Sequence, residues 1–518
     1  MRKSMMCGAL LVVMAASVLF SVGAAAKVTT LEVLSRTAYG TFKSGDYTRW
    51  DIRVVGELAP ISEKVPDLEK APRNANGMVE YATRLSLIMP VDSGRGNGAL
   101  LIDVPNRGRA ISLSLYNSPR NVFLPVGSLN PGTGFLQDYG YTVAIVPWEL
   151  GYGIELPTFN GTEGKPRSIE GVALPVIRDV ADFLAHVPAA PDGSANPLAG
   201  KIQRTIALGY SQTGRLLRSF LLGGYNSTEG RQVFAGMHIL GAPSGHIVLR
   251  STPGPTSGAG AIPTFADPEM RGVAEEPLAV SDVLEQAGRS GQSLPRMVFV
   301  NTTTDYFSLR ASLGRTGGTG KEEKAIPANV RVYDVAGASH ALASGPNQCK
   351  YPYATLDWHP IMRSTLIALD RWVSTNASPP ANELMPIREA GADAQALKLP
   401  GHLSQGIIQV PMLDQDGNAA GGVRLPDITA PLGTHAAQNP PLSFICSLAA
   451  GYVAFTKNKA ERDAAKDPRL SIAERYKDQN DYLDKIRSAA RDLEQRRLLL
   501  SEDAAVIVYS AAETNVLK

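Results

Sequence analysis

The chain has 518 residues, with 51 basic and 49 acidic side chains, so its net charge is close to zero. A balanced charge gives no reason to expect nucleic acid or an anionic membrane as a partner, and we predict neither. Hydrophobic residues make up 44% of the chain, which excludes a disordered protein despite 49 glycines and 36 prolines.

The first 26 residues are typical of a secretory signal peptide. Arg2 and Lys3 precede an apolar stretch, and the small residues Ala24, Ala25 and Ala26 follow it. We predict cleavage after Ala26 and a secreted or periplasmic mature protein with no stable membrane insertion. The alternative, an uncleaved membrane anchor, is not favoured because the apolar run is short for a bilayer span.

The rest of the chain divides into three predicted units. Residues 27–95 alternate apolar and polar side chains, which predicts an N-terminal β-rich extension. Residues 96–375 alternate short apolar runs with helical patterns, which is typical of a mainly parallel, twisted sheet flanked by helices. A loop-rich segment at about 243–290 interrupts this alternation, and we interpret it as a cap or lid. Residues 376–518 are predicted to be a C-terminal extension, first irregular and then helical.

Two cysteines, Cys349 and Cys446, remain after the predicted cleavage. In an oxidising compartment they are candidates for a disulfide. The alternative is two buried free thiols, because sequence alone does not tell whether their Cα atoms lie close enough for a bridge.

Residues 209–214, with the sequence GYSQTG, lie between a predicted strand and a predicted helix. A serine on such a turn is typical of a nucleophile elbow, which exposes its hydroxyl at the edge of an α/β sheet. Ser211 is therefore the candidate nucleophile. The pattern departs from the usual G-x-S-x-G, since Thr213 stands where the second glycine belongs. The alternative is that Ser211 only begins a helix.

A candidate acid and a candidate base each follow a later predicted strand. Asp305 comes after "RMVFVNTTT", and His340 comes after "VRVYDVAGAS". Reactive groups in open α/β sheets gather beyond the carboxyl ends of the strands. The order Ser211, Asp305, His340 is the order of the α/β-hydrolase fold, so we predict that fold and a catalytic triad.

Other acids and histidines are less well placed for these roles. Asp334 lies within its strand, and Glu322 and Glu323 lie in a polar loop. The remaining histidines are His186, His238, His246, His359, His402 and His435.

The expected oxyanion hole uses the backbone N–H of Gln212 and an N–H from a loop after an earlier strand. The segment "IDVPNRGR" is the natural source, with Asn106 and Arg107 as donors and Gly108 allowing a close approach. The alternative is an ordinary polar turn.

Three aromatic residues, Tyr210, Trp148 and Tyr306, are candidate walls of a substrate pocket, or else core residues. We expect no cofactor and no metal. The histidines show no HExxH spacing, and two cysteines are too few for a zinc cluster.

Several segments resemble a bacterial family called the alpha/beta hydrolase domain family, whose elbow has the form G-x-S-Q-[ST]-G. These segments are "DLEKAPRNANGMVEY", "LLIDVPNRG", "GYSQTGRLLR", "VFVNTTTDYFSLRASL", "RVYDVAGASH" and "GGVRLPDITAPLGT". The resemblance implies a serine hydrolase that uses Ser211 and His340, with extensions at both ends of its core. The family usually has a glutamate where this chain has Asp305.

Together these features predict an exported carboxylic-ester hydrolase that works through an acyl-enzyme on Ser211. The substrate would be a small-molecule or short polymeric ester. One alternative is hydrolysis of amide, thioester or C–C bonds by the same triad. Another is a non-catalytic binding scaffold with a degenerate site.

Overall fold

The computed structural model describes residues 27–120, 124, 127–161, 164–247, 249, 251–253, 278–341, 343, 345–390, 408–441 and 444–514. The predicted signal peptide, residues 1–26, lies outside the described residues. So does most of the predicted cap, because residues 248, 250 and 254–277 are not described.

Ten of the described strands form one central sheet. The strands, in chain order, are β1 (Lys27–Phe42), β2 (Gly45–Leu58), β3 (Val79–Pro90), β4 (Ala99–Asp103), β5 (Thr142–Ile145), β6 (Ile154–Glu155), β7 (Thr158–Asn160), β8 (Pro166–Ile169), β9 (Arg204–Tyr210), β10 (Ser227–Thr228), β11 (Arg231–Gln232), β12 (Gly236–Leu240), β13 (Ser251–Pro253), β14 (Arg296–Thr302), β15 (Val330–Val335), β16 (Ile387–Glu389), β17 (Gln409–Pro411), β18 (Gly433–Ala436) and β19 (Gly451–Ala454).

The central sheet runs in the order β1-β2-β3-β5-β4-β9-β12-β14-β15, with β6 paired to β3. The strands from β5 to β15 are parallel, whereas β1, β2 and β3 are antiparallel to their neighbours. The β-rich N-terminal segment therefore continues the sheet of the core. The boundaries of the three predicted units stay predictions. Smaller sheets pair β10 with β11, β16 with β17 and β18 with β19, and a further one joins β13, β8 and β7.

Helices cover both faces of the parallel strands. They are α1 (Ser112–Tyr116), α2 (Phe135–Asp138), α3 (Ala173–His186), α4 (Gln212–Leu222), α5 (Val280–Arg289), α6 (Thr303–Ser308), α7 (Leu313–Thr316), α8 (His359–Thr375), α9 (Pro426–Thr429), α10 (Phe444–Leu448), α11 (Lys459–Ala465), α12 (Ile472–Arg475), α13 (Gln479–Gln495) and α14 (Ser501–Glu513). Single 3₁₀ turns lie at Leu68–Lys70, Ser93–Arg95 and Glu170–Val172.

The parallel strands are buried on both faces, and this explains their nearly continuous apolar sequences. All five residues of β4 are buried. Because successive side chains point to opposite faces of a strand, Leu101 packs in one core with α8, α13 and α14. Its neighbours Leu100 and Ile102 pack in a second core with α3, α4 and α5. The two cores hold the carboxyl ends of β9, β14 and β15 along one edge of the sheet.

Candidate active site

Ser211 stands on a strained turn between β9 and α4. Its φ is 53° and its ψ is −108°, a region that residues other than glycine rarely occupy. The strand ends at Tyr210, and the helix begins at Gln212. This is the strand-turn-helix geometry of a nucleophile elbow, and it leaves Ser211 half-buried rather than sealed in the core.

The irregular elbow sequence has a structural explanation. A Cβ atom on Gly214 would lie 2.5 Å from the Cβ atom of Ala242, so this glycine allows α4 to approach the neighbouring strand end. Thr213 is fully buried, and its hydroxyl accepts the Tyr210 N–H at 3.0 Å. Glycine is thus needed one position later than the usual pattern places it, while the threonine closes the turn.

The three predicted triad residues lie in hydrogen-bond contact. His340 Nε2 is 3.0 Å from Ser211 Oγ, and His340 Nδ1 is 2.6 Å from Asp305 Oδ1. A carboxylate only accepts hydrogen bonds, so Nδ1 carries the proton and Nε2 is left to accept the serine hydroxyl. Asp305 is fully buried at the start of α6, and its second oxygen accepts the Thr302 N–H at 2.7 Å. Both carboxylate oxygens therefore have donors.

The turn that carries His340 is fixed by contacts that the sequence analysis did not foresee. The His340 N–H donates to Thr304 Oγ1 at 2.5 Å. The Tyr210 hydroxyl donates to the His340 carbonyl, and the two rings stack at 5.1 Å between centroids. Burial, reinforced by the charge of Asp305, raises the pKa of Tyr210, so it stays a neutral donor. Tyr210, predicted as a pocket wall, thus lies against the candidate base.

Gly241, at the end of β12, makes room for the imidazole. Its φ is 56°, and a Cβ atom there would lie 2.9 Å from His340 Nδ1. A side chain at this position would therefore push the ring away from Asp305. The signal for Gly241 was present in the sequence, as a glycine directly after a buried strand.

The loop that was predicted to supply oxyanion donors lies against the elbow, but its amides have partners. The Asn106 N–H donates to Arg109 O at 2.8 Å, and the Asn106 side chain donates to Tyr210 O at 2.7 Å. The Arg107 N–H donates to the side-chain oxygen of Gln212 at 2.9 Å. Arg107 has a φ of 51° and Gly108 a φ of 71°, so this turn is tight.

The backbone N–H of Gln212 differs from these amides. It belongs to the first residue of α4, where a helix leaves its amides without an intrahelical acceptor. It follows the candidate nucleophile directly in the chain, which is the position from which a nucleophile elbow supplies an oxyanion donor.

Glu149 is a site residue that the sequence analysis missed. Its carboxylate accepts the Gln212 side-chain N–H at 3.3 Å. Burial raises the pKa of Glu149, while the bonds from Gln212 and the Gly108 amide oppose the rise. The available signal was its place just after β5, at the carboxyl end of a parallel strand.

The other two aromatic residues predicted as pocket walls belong to the interior. Trp148 is 5% exposed, and its Nε1–H donates to Pro105 O at 2.7 Å, beneath the Asn106 loop. Tyr306 is fully buried, and its hydroxyl donates to Asp334 at 2.6 Å. The sequence left two places open for Tyr306, a pocket wall or the core, and the structure places its ring in the core although it follows a strand end.

Among the competing acids and histidines, Asp334, Glu323 and His238 contact other groups. Asp334 accepts from Tyr306 and from the Asn301 side chain, so it belongs to a buried network. Glu323 pairs with Arg315, and His238 lies between Tyr116 and Thr365. His402, another of the competing histidines, lies outside the described residues.

Cys349 and Cys446 form a disulfide with their Cα atoms 5.7 Å apart.

Among the described residues, no three His, Cys, Asp or Glu side chains cluster in a way that could hold a metal ion. Within the described part of the chain, no helix is both long and apolar enough to cross a bilayer.

Comparison with solved structures finds distant similarity to esterases. A mutant of the rice cell wall degrading esterase LipA from Xanthomonas oryzae is 15% identical, with a TM-score of 0.22. The match covers 42% of this chain and 50% of that one, so the chain spans about half of that esterase. A ligand-bound form of LipA is 11% identical over 60% of this chain and 90% of that chain, with a TM-score of 0.28. A fungal esterase from Rhizomucor miehei is 13% identical over 34% of this chain and 43% of that chain, with a TM-score of 0.20.

No curated protein sequence matches the chain. The family model described as "Alpha/beta hydrolase domain" matches residues 146–509, which include the elbow, Asp305 and His340. This match and the mostly parallel sheet confirm the predicted fold class. The chain belongs to the alpha/beta hydrolase domain family.

Proposed function

We propose that this hydrolase is a serine esterase that cleaves carboxylic esters through an acyl-enzyme on Ser211. The contact of 3.0 Å between His340 Nε2 and Ser211 Oγ carries the proposal, because it joins a hydroxyl on a strained turn to a base. Asp305, at 2.6 Å from the other ring nitrogen, supports it by fixing the required tautomer.

The reaction would proceed in two acyl transfers. His340 Nε2 takes the proton from Ser211 as its oxygen attacks the ester carbonyl carbon, and the carbonyl electrons move to the oxyanion. The Gln212 N–H stabilises that oxyanion. When the oxyanion collapses, the C–O bond to the alcohol breaks, and the imidazolium protonates the leaving alcohol. His340 then takes a proton from water as the water oxygen attacks the acyl carbon. The bond between the acyl carbon and Ser211 Oγ breaks, the imidazolium returns the proton to Ser211 Oγ, and the carboxylic acid leaves.

The same residues could attack an amide, a thioester or an activated C–C bond. We favour the ester over the amide because an alkoxide leaves more readily than an amide nitrogen. We also propose that residues 96–375 form the catalytic unit with extensions on either side. Export is proposed as well, since the Cys349–Cys446 disulfide suits an oxidising compartment.

The proposal is tested by measuring hydrolysis of 4-nitrophenyl esters with short and long acyl chains. Ser211→Ala should lose activity by about 10⁴-fold or more, because no nucleophile remains. Ser374→Ala is the matched control, since this serine donates to Asp370 O at the far end of α8. Equal activity in Ser211→Ala and the wild type would exclude Ser211 as the nucleophile. If the wild-type protein cleaves amides but no ester, the triad assignment stands and the esterase assignment is wrong.

A further inference from the structure

We propose that residues 446–450, here called the clamp segment, position His340 for the reaction, and that the Cys349–Cys446 disulfide makes turnover dependent on oxidation. This inference rests on the proposed function, because it assigns the clamp segment a role in the same site. The clamp segment lies in the C-terminal extension, more than 100 residues after His340.

The clamp segment binds the backbone on both sides of His340. Before the histidine, Ser339 Oγ accepts the Ala450 N–H at 2.8 Å. After it, the Ala341 N–H donates to Leu448 O at 3.0 Å. Ser339 is 2% exposed, so its contact with the clamp segment is shielded from water. These two bonds fix the path of the chain through the residue that carries the imidazole.

The clamp segment also touches the element that carries the acid. Ser308, the last residue of α6, donates its hydroxyl to the Ser447 carbonyl. Asp305 lies on the same helix, one turn earlier. One short segment therefore contacts both the Asp305 helix and the His340 turn. Its displacement would therefore alter the relation of base to acid.

The disulfide joins the clamp segment to the chain that leaves the site. Cys446 is the first residue of the clamp segment and is buried, whereas Cys349 is half-buried next to exposed residues 345–348. The bridge spans 97 positions in sequence and closes the loop that follows His340. A small dithiol can therefore approach from the Cys349 side. Two electrons and two protons from the dithiol convert the bridge to two thiols, and the dithiol becomes its own cyclic disulfide.

Loss of the bridge is expected to act on kcat more than on KM. The clamp segment holds the base rather than the elbow, and a misplacement of about 1 Å in a catalytic group can cost about 10²-fold in rate. We expect kcat to fall about tenfold or more on reduction, with KM changed less than about twofold. A general loss of folded protein would instead lower the active fraction and follow the unfolding curve.

The test compares oxidised, dithiothreitol-reduced and re-oxidised wild-type protein with the double variant Cys349→Ser/Cys446→Ser, using a 4-nitrophenyl ester well below each melting temperature. Reduced protein and the double variant should share the lower kcat, and re-oxidation should restore the wild type but not the variant. Ser339→Ala should lower kcat in the same direction with the bridge intact, because it removes the acceptor of the Ala450 N–H.

Asp416→Asn is the control for simple destabilisation of the C-terminal extension. The carboxylate of Asp416 accepts its side-chain hydrogen bonds from Arg475 of α12 and not from the clamp segment, so the variant should lower the melting temperature and keep kcat. An unchanged kcat in reduced wild type would overturn the inference, as would a loss in Asp416→Asn equal to that in the double variant. In either case, ester hydrolysis by the oxidised wild-type protein would still support the proposed esterase function. Wild type that neither hydrolyses esters nor reacts at Ser211 overturns both proposals.

Discussion

The two halves of the candidate site differ in how completely their hydrogen bonds are arranged for reaction. In the acid–base half, His340 contacts both Asp305 and Ser211, at 2.6 Å and 3.0 Å. In the donor half, the Arg107 amide is bonded to the Gln212 side chain. The ends of three strands bring the acid–base residues together, whereas the donor half depends on the position of one side chain, that of Gln212.

The largest expected effect comes from breaking the acid–base half at its centre. His340→Ala should lower kcat/KM by about 10⁴-fold or more, since no other group in the described site can take the Ser211 proton. The effect is measured by steady-state kinetics with a 4-nitrophenyl ester. Activity within tenfold of the wild type would show that the base lies elsewhere.

A smaller loss should follow when the imidazole is displaced rather than removed. In Gly241→Ala the new Cβ atom would lie 2.9 Å from His340 Nδ1, so we expect kcat to fall about 10- to 10²-fold. Gly193→Ala is the matched control, because Gly193 has a similar positive φ of 87° but no atom within 4 Å of a new Cβ. If both variants lose activity equally, backbone strain rather than contact with His340 is responsible.

The donor half is tested by Gln212→Ala, which keeps the backbone N–H but removes the side chain that bonds Arg107 and Glu149. We expect kcat/KM to fall about tenfold, because the loop loses a hydrogen bond of about 1.4 kcal/mol. Gln232→Ala, whose side chain donates to Leu294 O near the surface, is the control. A rise in kcat/KM would contradict this and show that Gln212 competes with substrate for the Arg107 amide.

The smallest effect concerns a histidine outside the site. Burial lowers the pKa of His238 to about 3, whereas an unfolded histidine titrates near 6.5. As pH falls below about 6.5 the unfolded state binds a proton that the folded state does not, so stability is lost progressively towards pH 3. Between pH 7 and 5.5 this one group should cost about 1 kcal/mol.

Urea denaturation at both pH values measures that loss. His238→Gln should be less sensitive to pH by about the same 1 kcal/mol, while its kcat at pH 7 stays near that of the wild type. If the stability of His238→Gln depends on pH as strongly as that of the wild type, burial does not lower the pKa of His238. This variant also sharpens the contrast with His340, whose removal should lower kcat/KM by about 10⁴-fold or more.

Much of the acid–base half could be predicted from sequence, because Ser211, Asp305 and His340 each follow a buried parallel strand and such strand ends converge. The contacts of Arg107 and Gln212 could not, since hydrogen-bond partners of side chains depend on packing. The choice between pocket wall and core for Tyr306 stayed open for the same reason. The place of the N-terminal strands in the central sheet was also beyond prediction, because alternation reveals a strand but not its partners.

The central claim is that Ser211 is the activated nucleophile of the site. Reaction of folded protein with a fluorophosphonate, followed by trypsin and mass spectrometry, tests it directly, because Ser211 is the only serine in the peptide 205–215. The account predicts a single phosphonyl group on Ser211, formed far more slowly in His340→Ala. A modified serine in any other peptide, or no modification of protein that hydrolyses esters, would contradict it.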